Sequence, residues 1–307
     1  MRLLVTGNVG VDVLLGTLEP WPTPGTEVLV QDRQLRVGGA LGNTALALHA
    51  LGVRADYAAN VGDDPLGQWL FDELNAHGCT LTVTPGPVAL TVALSHPDRE
   101  RTFITHEGHF GTFSVEGLER QVATLEPGDL FLVCGHVLVP ALRTHAVRLC
   151  GQARARGATV LLDTGWPPEG WTDDVRRELG DLLKNCDYFL PNREELAGLT
   201  GEANVEGGLR GLPGEFRTVV KLGDEGAGYL EAGRLTRIPA PKVTVADTVG
   251  AGDTFNAAFV YGLKEKLNLQ KAAEFAVRAA SWVVSSRPRR YPTVADLNAP
   301  PQAFPDV

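Results

Sequence analysis

Cysteine is scarce in this 307-residue sequence: Cys79, Cys134, Cys150 and Cys186 stand far apart, and none forms a CxxC pair. That excludes a zinc ribbon or a disulfide framework and leaves buried, reduced thiols in a cytoplasmic protein as the expectation. No apolar run approaches the roughly 20 residues of a membrane span. Positive charge is also short. The 28 Lys and Arg stand against 37 Asp and Glu, a net charge of -9, which argues against a nucleic-acid partner held by phosphate neutralisation. Three motifs are missing as well. A GxxxxGK[ST] loop, a GxGxxG after the first apolar run and an HExxH helix are all absent, so a P-loop phosphate cradle, a dinucleotide-binding oxidoreductase and a zinc protease are disfavoured.

What is present fits an ordinary globular enzyme, with 44% hydrophobic and 21% charged residues. The apolar start MRLLVTGNVGVDVLL is broken by Gly7, Asn8, Gly10 and Asp12 and lacks a small-residue cleavage site, so it reads as a first buried strand rather than a signal peptide. Short apolar runs predict strands at Leu3–Thr6, Ala55–Asn60, Leu130–Cys134, Thr159–Asp163, Tyr188–Pro191 and Thr218–Leu222. Helical patterns at Asn43–Leu51, Leu66–Ala76, Pro140–Arg156, Trp171–Leu183 and Glu194–Leu199 alternate with them. Such alternation predicts a mainly parallel sheet covered by helices on both faces, in one domain spanning residues 1–307. Two segments, 13–37 and 88–106, instead alternate with period two and predict antiparallel strands with one wet face. Inserted into a parallel domain, they suggest a small β-sheet standing off the main body, of use as a lid, as a homodimer contact or as both, with an ordinary edge hairpin as the alternative. The Gly-rich stretch Gly201–Gly214 reads as a surface loop, and the proline-rich tail Ala299–Val307 as extended.

Chemistry concentrates at Ala246-Asp247-Thr248-Val249-Gly250-Ala251-Gly252-Asp253-Thr254-Phe255, where a glycine-rich turn runs into a helix with Phe255, Phe259, Leu263 and Leu267 on one side. Free N–H groups at such a start form an anion site. Asp253 in the same turn is placed to accept a proton from an attacking hydroxyl. Taken alone, the same pattern also describes a helix start whose Asp253 complements the dipole.

Asp247–Asp253 (DTVGAGD) resembles the DTTGAGD signature of the ribokinase-like PfkB family, with Val249 in place of the second Thr. The early Gly38-Gly39-Ala40-Leu41-Gly42-Asn43 matches that family's second signature. Further matches are the first strand with Asp12, PNREE at Pro191–Glu195 and VVKLGDEGAG at Val219–Gly228. The resemblance therefore runs through nearly the whole chain. It implies a three-layer α/β/α ribokinase-like fold and an ATP- and Mg2+-dependent transfer to a hydroxymethyl group of a small sugar. Asp253 would be the base, with Gly250, Ala251 and Gly252 as the anion cradle. Asp12, Gly38, Gly39 and Asn43 would line the sugar site. Asn192, Glu195, Lys221 and Gly223, with Gly250 and Gly252, would meet the nucleotide, and Glu195 would act near the magnesium through water. The chain departs from ribokinases proper at Ala40 and at Gly135-His136, so fructokinase-like or keto-sugar-acid substrates are favoured over ribose. A nucleoside kinase of the same fold and a non-catalytic sugar- or nucleotide-binding regulator are the alternatives. Asp247 stands where the resemblance implies a monovalent cation. The partner loop, however, reads Ser285-Ser286-Arg287-Pro288-Arg289-Arg290 without its glycine, which speaks against potassium dependence. His106 and His109, after the second lid segment, and the rings of Trp21 and Trp166 are further groups that could face a substrate.

Overall fold

A strand buried on both faces sends alternate side chains into two separate cores, and the first strand of this chain does so. In the computed structural model, which describes residues 1–19, 21–96, 101–212, 216–300 and 304, Leu3 and Val5 enter one core and Leu4 the other. That strand, β1 (Leu3–Gly7), lies in a six-stranded parallel sheet. The order is β12 (Arg217–Thr218), β11 (Tyr188–Phe189), β10 (Thr159–Asp163), β9 (Leu130–Cys134), β1 and β4 (Asp56–Ala58). One face packs on α1 (Ala40–Ala50), α2 (Pro65–Ala76), α8 (Ala251–Lys264), α9 (Leu269–Ser285) and α10 (Val294–Asn298). The other packs on α3 (Val115–Val122), α4 (Pro140–Ala155), α5 (Asp173–Leu183) and α6 (Arg193–Thr200). The three-layer α/β/α architecture is thus present, and all five anticipated helices form.

Each of the two anticipated lid segments supplies strands to a separate four-stranded sheet. Its order is β3 (Arg33–Gly38), β2 (Gly10–Leu15), β7 (Leu90–Ser95), β8 (Arg101–His106). Two features differ from expectation. The central pair β2–β7 is parallel, and only the outer pairs are antiparallel. Period-two alternation reports which face is buried and carries no strand direction. Nor is there one simple wet face: Phe103 and Ile104, whose side chains point to opposite faces of β8, are 56% and 55% exposed. This edge of the sheet stands clear of the body on both sides.

The run Thr218–Leu222 is divided at Val219. β12 closes the main sheet, while β13 (Val220–Lys221) opens a three-stranded antiparallel sheet with β14 (Ala227–Glu231) and β15 (Arg234–Ile238). The strand expected over Ala55–Asn60 also divides. β4 stays in the main sheet, and β5 (Asn60–Gly62) pairs with β6 (Thr82–Thr84). The stretch Gly201–Gly214 is not a plain loop. It holds α7 (Val205–Gly211), capped by the Asn204 side chain and fixed by Val205 and Leu209 packing on Leu196. Its last two residues, and most of the tail Ala299–Val307, lie outside the described residues.

Candidate active site

The turn before α8 is built on a backbone shape that only glycine adopts cheaply. Gly250 has φ 68° and forms the N-cap. A Cβ there would stand 2.6 Å from Arg289 Nη2 and 3.0 Å from the Asn43 carboxamide. The first helical turn presents N–H groups that have no intrahelical acceptor. Ala251 N–H turns back to the Thr248 carbonyl at 3.3 Å, so the cradle relies on its neighbours more than on Ala251. Gly250, Ala251, Gly252 and Asp253 line a cleft of about 1170 Å3 together with Asn192, Glu195, Lys221 and Gly223. All the residues expected to meet nucleotide therefore come together from three separate stretches of chain.

Burial pushes the Asp253 carboxyl up to about 8. The nearby Asp163 carboxylate adds to this shift, Asp12 adds a little, and Lys221 and Arg289 oppose it. Asp163, at the carboxyl end of β10, is 6% exposed. Its Oδ2 accepts from Lys221 Nζ at 2.9 Å and from Asn256 Nδ2. Lys221 Nζ also donates to Asn256 Oδ1 at 3.4 Å. Burial alone would depress the Lys221 ammonium, but the Asp163 and Glu195 carboxylates overcome it and hold it above the ordinary lysine range.

Asn192 and Glu195 open α6 as a capping box. Asn192 Oδ1 accepts from Glu195 N at 2.7 Å, and Asn192 N donates to Glu195 Oε2 at 2.9 Å. Burial, with Asp163 nearby, raises the Glu195 carboxyl to about 7. Capping therefore accounts for one carboxylate oxygen and leaves the other. Among the described residues no three His, Cys, Asp or Glu side chains converge on a metal site.

The residues expected to meet sugar form the adjoining wall. Asp12 lies on β2 across from Arg36, two residues before the end of β3. A Cβ on Gly38 would come within 2.1 Å of its Oδ1, and one on Gly39 (φ 77°) within 2.6 Å of the Asn8 carbonyl. Burial raises the Asp12 carboxyl to about 6, against the pull of Arg289 and Arg36. Asn43 Nδ2 donates to the Gly39 carbonyl at 3.1 Å, and its Oδ1 accepts from Tyr291 Oη at 2.8 Å. Behind this wall, Arg36 pairs with Asp247, and Arg289 lies 4.0 Å from the same carboxylate. Arg289 Nη1 donates to the Val249 carbonyl, and its guanidinium stacks 5.3 Å over Tyr291. Arg289 Nη2 is buried without a hydrogen-bond partner. Asp247 Oδ1 further accepts from Val249 N at 2.9 Å.

Sequence reasoning missed Asp163, Asn256, Arg36 and Tyr291. A signal existed for Asp163, since it ends a parallel strand as ligand-facing carboxylates do. Asn256 follows Asp253 by three residues and so shares its helix face. His109 is corrected: it is buried, and Nδ1 accepts from Ala89 N at 2.9 Å, a structural bond that keeps it from facing a substrate. Trp21 stacks on His96 and Trp166 packs edge-on to Trp171. His106 ends β8, paired across from Leu90.

Comparison with known proteins bears on the family and the fold. The family model "pfkB family carbohydrate kinase" matches residues 2–294. The chain is 26% identical to a ribokinase of Bacillus subtilis over 293 residues, covering 93% of each chain. It is 28% identical to the 2-dehydro-3-deoxygluconokinase of the same organism over 265 residues, covering 78% of this chain and 77% of the relative. Its fold superposes with TM-score 0.76 on an Arabidopsis thaliana ribokinase complexed with ribose and ATP, at 22% identity over 99% of this chain and 96% of that one.

Proposed function

The chain belongs to the pfkB family of carbohydrate kinases, and on that premise we propose that it transfers the γ-phosphoryl group of ATP to a hydroxymethyl group of a small sugar. A fructose-type sugar or a keto-sugar acid is favoured over ribose. The observation that carries this reading is the placement of Asp253. It is a half-buried carboxyl in the first turn of a helix, beside an N–H cradle, in a cleft that also collects Asn192, Glu195, Lys221 and Gly223.

In this reading the sugar lies against Asp12, Gly38, Gly39 and Asn43, and the nucleotide lies over Lys221 and Gly223. The substrate hydroxyl gives its proton to Asp253 as its oxygen bonds to the γ-phosphorus. The bond from that phosphorus to the β–γ bridging oxygen breaks, and its electron pair leaves with ADP. N–H groups at Gly250 and Gly252 meet the charge on the transferring group. The raised carboxyl of Asp253 suits a base that must hold a proton during transfer. Arrival of cationic groups with the nucleotide would bring it back toward ionisation.

Magnesium would neutralise phosphate charge and enter with the nucleotide. The free oxygen of Glu195 suits contact through water, in keeping with a cation that keeps several waters. A monovalent cation does not fit. Arg36 and Arg289 already stand on Asp247, and Arg289 takes the Val249 carbonyl. The four-stranded sheet would act as a lid on a single domain and exclude water during transfer. Its open edge, with Phe103 and Ile104, supports a homodimer through the lid. Among the described residues no helix is long and apolar enough to cross a membrane, and a cytoplasmic location accords with the four unpaired, buried cysteines.

The test is ADP formation measured across pentoses, hexoses, keto-sugar acids and nucleosides, with Asp253→Asn alongside. Turnover by the parent protein and loss of at least about a hundredfold in the variant are expected. Near-full activity of Asp253→Asn would sink the base assignment.

A further inference from the structure

Lys221 is more than a nucleotide contact. It comes from β13, the strand that leaves the main sheet, yet its ammonium reaches back to the end of β10 and the first turns of α8. Nζ lies 2.9 Å from Asp163 Oδ2 and 3.4 Å from Asn256 Oδ1. It also lies 3.4 Å from where a Cβ on Gly252 would stand. Gly252 is the second glycine of the anion cradle and precedes Asp253. The side chains of Lys221 and Asp163 are only 12% and 8% exposed, and both residues line the cleft. Even a side chain at that position would meet the ammonium only at ordinary contact distance, so the positive charge stands directly beside the cradle.

A purely structural pair would be an odd use of these atoms. Taking an ammonium and a carboxylate out of water is expensive, and an apolar pair of similar size packs as well. An ammonium has three donors. Asp163 and Asn256 take two, so one remains for the cleft. Asp163 receives from both Lys221 and Asn256 at one oxygen. The triad therefore fixes the ammonium in place and keeps it charged, as electrostatic stabilisation of a transition state requires.

We propose that Lys221 is a catalytic residue of the transfer, supplying a fixed positive charge to the phosphoryl group in flight, and that Asp163 and Asn256 are positioning residues that hold its ammonium beside Gly252. This rests on the kinase reading above. No new bond is invoked: the proton goes from the substrate hydroxyl to Asp253, the β–γ bridging bond breaks to ADP, and Lys221 keeps its protons throughout. Its charge matters most when the three equatorial oxygens carry the spreading charge, so its loss falls on kcat more than on KM for ATP.

The experiment is steady-state kinetics of Lys221→Ala, Asp163→Asn and the double substitution Asp163→Asn/Lys221→Met, each checked for folding by thermal unfolding. Lys221→Ala should lose about a hundredfold or more in kcat, with KM for ATP within about fivefold of the parent. Added ethylammonium should restore part of the lost rate in proportion to its concentration, a response that a packing defect would not give. Asp163→Asn should lower kcat in the parent but have little further effect once Lys221 is replaced, since it acts through Lys221. The double substitution removes both buried charges at once and supplies a folded comparison if a single one unfolds. Two results would overturn the inference while leaving the kinase reading intact. One is a parent that turns over and a Lys221→Ala that keeps kcat within about threefold; the other is a lost rate that amines do not restore. A parent inactive on every sugar and nucleoside would sink both.

Discussion

Arg289 Nη2 occupies the place beside Gly250 that a side chain would need: a Cβ on Gly250 would stand 2.6 Å from it. The turn that carries the anion cradle is thus shaped around a guanidinium contributed from 39 residues further along the chain, between α9 and α10. Gly250→Ala must meet two costs. One is the left-handed backbone at φ 68°, about 1 kcal/mol. The other is displacement of Arg289 and Asn43, roughly 1–3 kcal/mol. A fall of several degrees in Tm and a loss of at least about tenfold in kcat are expected. Thermal unfolding and ADP release measure both, and an unchanged Tm would show that the turn is not held as described.

The desolvated carboxyl of Asp253 links stability to pH. Burial places it near 8 in the folded protein, against 3.8 ordinarily, with Asp163 and Asp12 adding to the shift and Lys221 and Arg289 opposing it. A raised carboxyl binds its proton more tightly when folded. The stability it contributes is therefore fully present below about pH 4, declines as pH rises, and is gone above about pH 8. Asp253→Asn stays neutral and escapes that decline. In the ligand-free protein it should be more stable than the parent at pH 8.5, by on the order of 2 kcal/mol, or roughly 5 °C in Tm. The difference should vanish near pH 4. An equal Tm difference at both pH values would refute the assignment.

How far the cleft was legible in the sequence depended on chain distance. The cradle and its base lie within seven consecutive residues, Asp247–Asp253, so their juxtaposition needed no fold to see it. The capping box of Asn192 and Glu195 was equally local. Asp163 was not, because its partners Lys221 and Asn256 are 58 and 93 residues away. Without those partners TVLLD reads only as a strand with a polar end. The arginines at 287–290 were visible as a cluster but carried no direction. In the fold Arg287 and Arg290 are exposed, while Arg289 turns inward against Asp247 and the Val249 carbonyl. The lid was located by alternation, yet its parallel centre was not, since alternation is the same for either strand direction.

Arg289 and Arg36 lead to an ionic prediction. Asp247 already faces both guanidinium groups, and the Val249 carbonyl accepts from Arg289. The turn therefore carries its own fixed cations. Rates measured in potassium and in choline salts at equal ionic strength should agree within about twofold. Arg289→Met should lower the rate in either salt, because the Val249 carbonyl loses its donor in a half-buried place, at about 1–3 kcal/mol, and the Asp247 carboxylate loses a nearby positive charge. A parent protein that needs potassium for activity would contradict this account.

Gly38 offers a way to separate the sugar wall from the nucleotide wall. A methyl group there would come within 2.1 Å of Asp12 Oδ1 and 2.3 Å of its Cγ. β2 and β3 are locked in register, with Gly10 opposite Gly38 and Asp12 opposite Arg36, so the backbone has little room to give, and the Asp12 carboxylate must turn away. Asp12 is remote from Asn192, Glu195 and Gly223 in the chain and is not among the residues lining the large cleft. Gly38→Ala should therefore raise KM for the sugar by about tenfold or more, the cost of a misplaced charge-assisted hydrogen bond. KM for ATP should stay within about twofold. Asp12→Asn should show the same asymmetry without the steric change, since the amide keeps one acceptor and loses the charge. If both substitutions instead raise KM for ATP and leave the sugar's KM alone, the two walls have been assigned the wrong way round.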